Sequence, residues 1–394
     1  MTSVRVTRSG VIPDRIRIAR YEKSPELGPR ILFFSGGTAL NALSRHLTRF
    51  THNSIHVITS FDSGGSSARL RDAFPMPSVG DLRSRIMALA DRTVKGHPEI
   101  VRLFAYRFPK EAERGELNAS LRAMSAGGDA LVRDVPYPMR DIIRAHLRSF
   151  LEVMPPAFDL RGASVGNLIL AGGYLRDGRD IDPVVFLFSR LVEARGTVVP
   201  VYPRYLELGA VLHDGRTLVG QHRISGKECP PIDSPIDRLF LHDPAVPENP
   251  VEVEASEDVR DLILQADLIC FPMGSFFSSV LVNLLPTGVA EAVRENGCPK
   301  VYIPNTGGDP EEFGMTVDDC ITRLNEHLSA REKAGSASYV NFVVLDSRND
   351  NYRGAELLKS AANRIPVVDT PLITPNSAPF LDEQLLVPVL LSLT

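Results

Sequence analysis

Four short segments of this chain combine glycine with small polar residues, and such segments can bind an anion. They are residues 36–38, 62–67, 272–275 and 305–308. Glycine lets the backbone approach a ligand closely, and hydroxyl side chains within the same segments can donate hydrogen bonds. Each segment alone is more often an ordinary turn than a phosphate site. Because four of them occur in one chain, we expect a ligand that carries phosphate groups.

Several common motifs of nucleotide-binding and hydrolytic enzymes are absent. Residues 36–39 (GGTA) match neither the Gly-x-Gly-x-x-Gly fingerprint nor the P-loop, which requires a following Gly-Lys-Ser/Thr. The chain also lacks a Gly-x-Ser-x-Gly nucleophile motif. The four cysteines are widely spaced and form no Cys-x-x-Cys pair, which argues against a zinc knuckle or a redox dithiol. The sequence therefore disfavours nicotinamide dehydrogenases and P-loop NTPases.

Two aspartates and several arginines lie in or beside these segments. Asp62 opens the second segment, and Asp81 precedes a predicted helix. Either aspartate could be purely structural, Asp62 in a turn or helix cap and Asp81 as an N-cap. The four nearby guanidinium groups could be solvated helix charges or could bind a diphosphate through paired hydrogen bonds. They belong to Arg69, Arg71, Arg83 and Arg85.

The elements that must position these residues follow a strand–loop–helix pattern. The apolar run 31–34 and the run 54–60 each end in one of the segments, and leucines recur at helical spacing after the first. Two such units in succession predict a parallel sheet. Ligands bind at the carboxyl ends of parallel strands, where loops meet helix N-termini. The four segments are therefore predicted to gather at one edge of an α/β sheet.

The rest of the chain predicts a helical region and a small antiparallel element within the α/β pattern. Residues 81–152 are rich in helix-forming residues, and Asp214-Gly215 is a hairpin signal between strands in 209–224. Further strands are predicted at residues 197–201, 268–271, 301–303 and 339–345. Further helices are predicted at residues 259–265, 278–296, 355–362 and 383–391.

Composition and charge exclude several classes of protein. The formal net charge is -4, so no basic excess favours binding to nucleic acid. No apolar stretch is long enough to cross a bilayer, and we expect a cytoplasmic protein without a membrane partner. We expect residues 1–29 to form an N-terminal extension and residues 30–394 to form a single α/β domain with a helical insertion at about 92–160.

A series of motifs occurs in the order expected for one protein family. The motifs are residues 36–38, 62–70, 80–83, 166–168, 274–279, 283–285 and 301–305. Together they resemble the CofD-like family, which includes 2-phospho-L-lactate transferases and the YvcK-type gluconeogenesis and cell-wall factors. The resemblance covers roughly residues 31–325.

The resemblance implies a three-layer, Rossmann-like α/β fold that is usually a homodimer, with a nucleoside diphosphate-containing ligand at the strand carboxyl ends. In the transferase branch, a lactyl phosphate passes from a guanosine diphospho-donor to a deazaflavin hydroxyl with Mg²⁺. For the YvcK branch, the resemblance implies binding of UDP-sugars. Residues 64–67 and 80–83 are closer to the YvcK branch.

At four positions the chain departs from the family pattern. Ala39 replaces a usual glycine, and Ser63 replaces the second aspartate of the YvcK pattern. Ala163 stands where a histidine often precedes the Gly-Asn-Leu motif, and Phe277 where tyrosine is familiar. These changes remove a possible magnesium ligand and a possible general acid or base. Binding of a ligand through backbone N–H groups would be less affected.

These observations lead to a hypothesis about the site and its chemistry. We expect a transferase that acts at the phosphoester linkage of a nucleotide diphospho-donor, or alternatively a non-catalytic regulator that senses a nucleotide-sugar. Asp62 and Asp81 are the expected catalytic residues, and Asp62 is the expected Mg²⁺ ligand. The expected ligand-binding residues are Gly36, Gly37, Thr38, Gly64, Gly65, Ser66, Ser67, Arg69, Arg83, Asn167, Gly274, Ser275, Ser278 and Asn305.

Overall fold

A computed structural model describes residues 10–226, 229–246, 250–329, 338–348, 352 and 365–394. The strands of this part of the chain are β1 (Ile31–Ser35), β2 (Ile55–Ile58), β3 (Thr197–Pro200), β4 (Glu207–Leu212), β5 (Thr217–Val219), β6 (Ile236–His242), β7 (Pro250–Val251), β8 (Leu268–Phe271), β9 (Lys300–Tyr302), β10 (Phe342–Leu345) and β11 (Val367–Asp369).

The helices fall between and around these strands. In the described residues they are α1 (Arg15–Lys23), α2 (Asn41–Leu47), α3 (Gly65–Ala73), α4 (Gly80–Leu89), α5 (Pro98–Ala105), α6 (Arg114–Ala126), α7 (Ala130–Arg133), α8 (Met139–Val153), α9 (Val165–Arg176), α10 (Asp182–Leu191), α11 (Gln221–Ile224), α12 (Glu257–Leu264), α13 (Val289–Glu295), α14 (Val317–Ser329) and α15 (Glu383–Ser392). Shorter turns are a π-helical turn at Phe276–Val280 and 3₁₀ turns at Pro25–Leu27, Leu281–Leu284 and Pro310–Glu312.

A seven-stranded sheet in the order β11-β10-β9-β8-β1-β2-β3 forms the centre of the protein. Every strand pair in this sheet is parallel. A second sheet, β5-β4-β6-β7, is antiparallel. The predicted α/β class, with a mostly parallel sheet and a small antiparallel element, is therefore confirmed.

The side chains of β1 point alternately to the two faces of the sheet, and both faces are covered by helices. Ile31 and Phe33 pack in a core cluster with leucines of α2 and α15, while Leu32 and Phe34 belong to a second cluster that includes residues of α12, α13 and α14. All five residues of β1 are buried. A strand that is covered on both faces has an unbroken apolar run, which is the pattern at residues 31–34.

The helices α5 to α8 lie within the range that was expected to be a helical insertion. They share a core cluster with α4, α9 and α10. Aromatic rings hold this region together, and the rings of Phe104 and Phe188 stack with centroids 3.9 Å apart. The helical lobe, defined here as residues 98–153, is thereby fixed to the elements that follow β2.

Some local expectations were wrong. The segment before residue 29, expected as an extension without periodicity, contains α1, whose N-cap is Asp14. Residues 221–224 form α11 instead of continuing a strand. The helix predicted at 355–362 lies outside the described residues. Among the residues that are described, no helix has both the length and the apolar character needed to cross a bilayer.

Candidate functional site

The order of the strands creates a crevice between β1 and β8. The chain builds the sheet outward from β1 through β2 to β3, and later outward from β8 through β9 to β11. The strand order therefore reverses between β1 and β8, which pair directly. In open α/β sheets, ligands bind beside such a switch point, at the carboxyl ends of the strands. The loops after β1 and β8 are two of the four predicted segments.

The loop after β1 is closed on one side and open on the other. A Cβ atom on Gly36 would lie 2.5 Å from Thr59 Cγ2 and 2.9 Å from Ser279 Oγ. Gly37 has φ +50° and would meet no atom within 4 Å. Its N–H donates to Asp81 Oδ2 at 2.6 Å. Gly36 is thus required by packing, while Gly37 faces open space in a conformation that favours glycine.

The loop after β8 is held by an amide side chain from the end of β9. The N–H of Gly274 donates to Asn305 Oδ1 at 2.8 Å, and Asn305 Nδ2 donates to the Gly274 carbonyl at 2.7 Å. Gly274 has φ +140°, and an added Cβ would lie 3.8 Å from Ala39 Cβ. The two glycine loops therefore approach each other across the crevice, and Asn305 fixes the position of one of them.

Carboxylates of the chain itself cap the π-helical turn after this loop. Phe276 N–H donates to Asp309 Oδ2 at 2.6 Å. The N–H groups of Phe277 and Ser278 donate to Glu311 Oε2 at 2.9 and 2.8 Å. Three N–H groups that an anionic ligand could have used are therefore occupied by internal acids.

Glu311 is fully buried at this cap. Burial, followed by the charge of Asp309, raises the pKa of Glu311 to about 8, although the hydrogen bonds from Ser278 and Phe277 oppose the shift. Ser278 Oγ donates to Glu311 Oε1 and accepts from Gln221 Nε2 at 3.3 Å. Ser278 was expected to contact ligand, but it is buried and connects the cap to α11.

The two predicted catalytic aspartates have different local roles. Asp62 Oδ1 accepts a hydrogen bond from the Gly64 N–H at 3.2 Å, as in an Asx turn, and the N-cap of α3 is Gly64. Asp81 lies in the first turn of α4, whose N-cap is Val79, so Asp81 is not the cap itself. Its contact with Gly37 instead connects α4 to the loop after β1.

A histidine that the sequence did not single out lies beside Asp62. Ser63 Oγ is 2.8 Å from His222 Nδ1 and accepts from the His222 N–H at 3.2 Å. Ser63 replaces an expected carboxylate, and α11 brings an imidazole to that position.

Two of the four arginines are structural. Arg71 is buried, donates to the carbonyls of Asp62 and Leu206 at 2.9 and 2.7 Å, and its guanidinium lies 4.9 Å from the centroid of the Tyr205 ring. Arg85 is fully buried and donates to Ser44 Oγ at 2.6 Å. Burial lowers the pKa of Arg85 to about 10. Arg71 therefore holds the loop after β2, and Arg85 connects α4 to α2.

The remaining predicted residues connect α3, α4 and α9. A Cβ on Gly80 would lie 2.4 Å from Ser67 Oγ and 3.9 Å from Asn167 Nδ2. Ser67 and Asn167 are both buried. Ser66 lies in α3, but its side chain is outside the described part of the structure. Gly65 is exposed, with φ +54° and open space around its Cβ position.

A cavity of about 360 Å³ lies at the carboxyl end of β9. Its volume is at the lower end of the range for small-molecule pockets. The Tyr352 hydroxyl is buried without a hydrogen-bond partner among the described residues. The cavity is lined, among others, by Ile232, Tyr302, Asn305, Asp309, Phe313, Met315, Cys320 and Tyr352. Through Asn305, this cavity adjoins the loop after β8.

The described residues contain no group of three or more His, Cys, Asp or Glu side chains that could hold a metal ion. Mg²⁺ in nucleotide sites commonly uses one or two carboxylates together with phosphates and water. Asp62 carries a carboxylate of this kind in the loop after β2. The magnesium assignment stays a prediction.

Sequence reasoning missed the residues that come from distant segments. His222 lies where a strand was predicted, and a single histidine gave no signal. Asp309 and Glu311 directly follow the segment 305–308, so acidic residues after a strand end were a signal that could have been used. The predicted loops were brought together at one sheet edge, but Asn305 and Ser278 contact protein groups rather than open space.

Comparisons with known proteins agree with this architecture. The gluconeogenesis factor of Bacillus subtilis is 30% identical over 301 residues, which cover 76% of this chain and 75% of that protein. The putative gluconeogenesis factor of Deinococcus radiodurans is 30% identical over 328 residues, covering 81% of this chain and 56% of that protein. The crystal structure of a UPF0052 family member from Bacillus halodurans superimposes with a TM-score of 0.67 at 23% identity, covering 92% of this chain and 99% of that one.

The structural similarity supports the fold, and the sequence comparisons assign the family. The model of the family described as 2-phospho-L-lactate transferase CofD matches residues 31–373. This range extends beyond the motifs recognised in the sequence, into the last strands of the sheet. With its switch-point crevice, its ordered motifs and this match, the chain belongs to the CofD family.

Proposed function

We propose that this CofD-family protein binds a nucleoside diphosphate-containing ligand in the crevice between the loops after β1 and β8. The observation that carries the proposal is the strand-order reversal between β1 and β8, where Gly274 of one loop lies close to Ala39 of the other and Gly37 faces open space. Thr38 and Ala39 are exposed in the same loop, and their N–H groups have no acceptor among the described residues. These N–H groups are the candidates for phosphate contacts.

The cavity beyond Asn305 would take the base of the ligand. Its apolar lining suits a planar ring, and the buried Tyr352 hydroxyl could hydrogen-bond to a polar edge of that ring. Asn305 lies between this cavity and Gly274. In this arrangement, Asn305 positions the phosphate loop and contributes to the wall of the base pocket.

Asp62 would hold Mg²⁺ together with ligand phosphates, and Asp81 would hold Gly37 in the conformation that admits them. Bound Mg²⁺ would neutralise phosphate charge. Asp81 is therefore a positioning residue in this proposal. We also propose that the protein is a homodimer, as the family resemblance implies.

A transferase is the second candidate, and the observation that favours it is the pair Asp62 and Asp81 at the ends of elements beside the crevice. An acceptor hydroxyl would attack the distal phosphorus of the donor, and its proton would pass to a carboxylate. The phosphoanhydride bond would break and release the nucleoside monophosphate. Without such turnover, the same crevice would serve a regulator that senses a nucleotide-sugar.

Thermal melts in the presence of guanine, uracil and adenine diphosphates and their sugars test the binding proposal. A ligand that binds only the folded state raises the melting temperature by mass action. An unmoved transition with every compound at about millimolar concentration, with and without Mg²⁺, contradicts the proposal. Native mass spectrometry of the freshly purified protein measures a copurifying ligand and the subunit number together. Release of monophosphate from a bound donor separates transferase from regulator.

A further inference from the structure

We propose that the helical lobe completes a second anion site, separate from the glycine loops, that binds a phosphate group. Four cations form it: Arg69 of α3, Arg83 of α4, and Arg107 and Lys110 of the segment between α5 and α6. This site would bind a phosphate group in addition to those at the glycine loops. It rests on the proposed function only for the identity of the ligand at those loops.

Three of the cations converge at Gly162. Arg107 Nη1 donates to the Gly162 carbonyl at 3.2 Å. A Cβ on Gly162 would lie 3.4 Å from Lys110 Cγ and 3.8 Å from Arg69 Nη2. Arg69 Nη1 donates to the carbonyls of Arg161 and Asp159 at 2.6 and 3.1 Å. Backbone carbonyls thus order the arginines through one amino group each and leave their other N–H groups for an anion.

Arg83 joins this group from α4. A Cβ on Gly166 would lie 2.8 Å from Arg83 Cδ and 2.6 Å from the Phe104 carbonyl, so a glycine is needed where Arg83 crosses α9. Arg83 Nη1 donates to the Phe104 carbonyl at 3.2 Å, and its Nε is buried without a partner. Burial and the charge of Arg107 lower the pKa of Arg83 to about 10. The two guanidinium groups therefore repel each other.

The three arginines of this cluster donate hydrogen bonds to backbone carbonyls. None of them forms an ion pair with an acid in the described ranges. Two acids act on the cluster without a direct ion pair to it. The charge of Asp81 opposes the lowering of the Arg83 pKa. Asp159, whose pKa is lowered by Arg161 and also by Arg69, is engaged by Arg161 with N–O distances of 3.0 Å. The whole chain has a formal net charge of -4, so this concentration of positive charge opposes the average. An anion bound here would relieve the repulsion.

Backbone contacts connect the cluster to the crevice. Arg107 forms a β-bridge with Ser164, the N-cap of α9, and the Val165 N–H donates to the Tyr106 carbonyl at 3.0 Å. The positive end of the α9 dipole is therefore next to the cations. Asn167 of α9 reaches Gly80, which precedes the Asp81 that holds Gly37. The second site thus borders the first.

The chemistry of the cluster fits a phosphate better than a neutral group. Guanidinium groups bind phosphate oxygens through paired hydrogen bonds, while the lysine adds a point charge. Arg107 and Lys110 are exposed, so a ligand can reach them. The phosphate could belong to a second substrate or to the distal part of the nucleotide ligand itself.

Titration calorimetry with inorganic phosphate at low ionic strength tests the proposal on the full chain. We expect saturable binding to the wild type and a loss of about tenfold or more in Arg107→Ala/Lys110→Ala. The matched control is Lys95→Ala/Arg102→Ala, which removes the same charges elsewhere on the surface and should change affinity less than about twofold. Lys110→Glu is a second variant, and melts of each variant check its fold.

The outcomes separate this inference from the proposed function. Equal phosphate affinity in the wild type and both Lys110 variants, or no saturable phosphate binding, overturns the second site. If only Gly37→Val lost phosphate affinity, the phosphate would bind at the glycine loops, and the proposal of a second site would also be overturned. In another outcome, nucleotides leave the melting temperature unchanged while phosphate binding still depends on Arg107 and Lys110. That result would refute the proposed function and leave the second site standing. Phosphate that still binds beside a saturating nucleotide supports a second substrate, and competition supports the distal group of the nucleotide.

Discussion

Asp62 and Ser63 are consecutive residues after β2, yet they have partners in different parts of the chain. Asp62 accepts a hydrogen bond from the peptide N–H two residues ahead, whereas Ser63 contacts His222 of α11. The backbone turn thus orients the carboxylate, and tertiary packing brings the imidazole. At the scale of single residues, the chemistry of the crevice depends on both.

Asp62→Asn tests whether the carboxylate has a chemical role. The amide oxygen can still accept from Gly64, so the turn should persist. A magnesium-dependent transferase should lose turnover while nucleotide affinity stays within about tenfold, or ~1.4 kcal/mol. A regulator should lose only the response of nucleotide binding to Mg²⁺. The matched control is Asp72→Asn on the exposed side of α3. Unchanged turnover and unchanged Mg²⁺ response would leave Asp62 as a turn residue.

Ser63→Asp restores the carboxylate that the family pattern has beside Asp62. A second carboxylate adds an oxygen ligand of the type that Mg²⁺ prefers. We expect Mg²⁺ to bind several-fold more tightly in the presence of nucleotide, on the order of 1 kcal/mol, as measured by calorimetry. Ser63→Asn introduces a side chain of nearly the same shape as aspartate but without the charge, so it should not bind Mg²⁺ more tightly. Equal Mg²⁺ affinity in all three proteins would place the ion away from this position.

At the scale of elements, the loop after β1 separates a packing glycine from an open one. Gly36→Val should mainly destabilise the fold, by about 1–3 kcal/mol, because its side chain would collide with Thr59 and Ser279. The Cβ of Gly37→Val would meet no atom within 4 Å, so we expect the cost in stability to come mainly from the positive φ, about 1–2 kcal/mol. We expect Gly37→Val to weaken nucleotide binding more than tenfold.

The hairpin glycine Gly215 provides a control for backbone strain. It has φ +87° and open space around its Cβ position, and it lies between β4 and β5. Gly215→Val should therefore cost stability but leave nucleotide affinity unchanged. Chemical unfolding beside ligand titration measures both quantities. Equal losses of affinity in the Gly37 and Gly215 variants would mean that the loop after β1 does not contact ligand.

The elements that sequence analysis predicted well are those whose signal is local. The apolar runs 31–34 and 268–271 became central strands, because strands buried on both faces need unbroken apolar sequence. Helix α1 was missed, since none of its residues is buried and its apolar periodicity is weak. Its position depends on Arg17, which donates to carbonyls at the end of α15.

For the candidate site, the sequence predicted which loops lie together at one sheet edge but not their internal partners. Segments that follow parallel strands must gather at one sheet edge, and this argument placed Gly37 and Gly274 correctly. Which N–H groups are already occupied depends on contacts between distant residues, such as Asp309 with Phe276 and Glu311 with Ser278. No local spacing encodes these pairs.

At the scale of the whole molecule, the two halves of the sheet each contribute to the crevice. The half from β1 to β3 carries the helical lobe and the cations, while the half from β8 to β11 carries the cavity and the buried acids. Glu311 connects this second half to α11, which follows β5 of the antiparallel sheet, through Ser278 and Gln221. Its protonation therefore bears on the stability of the assembled fold.

The free energy of unfolding should depend on pH through Glu311. Its pKa is raised to about 8 in the folded state from an ordinary value of 4.5. Between these two values the folded protein keeps a proton that the unfolded chain has lost, so the Glu311 contribution is fully present below pH 4.5 and is lost as pH rises towards 8. The slope should be at most ~1.4 kcal/mol per pH unit and should vanish above that range.

Glu311→Gln isolates this contribution, because an amide of the same shape stays neutral at every pH. We expect the stability of the wild type relative to the variant to fall as pH rises from about 4.5 to 8, measured by denaturant unfolding at a series of pH values. Glu326→Gln, at an exposed position of α14, should give a nearly constant difference. A constant difference for Glu311→Gln as well would mean that the carboxyl group is ionised throughout, and that the hydrogen bonds from Phe277 and Ser278 outweigh its burial.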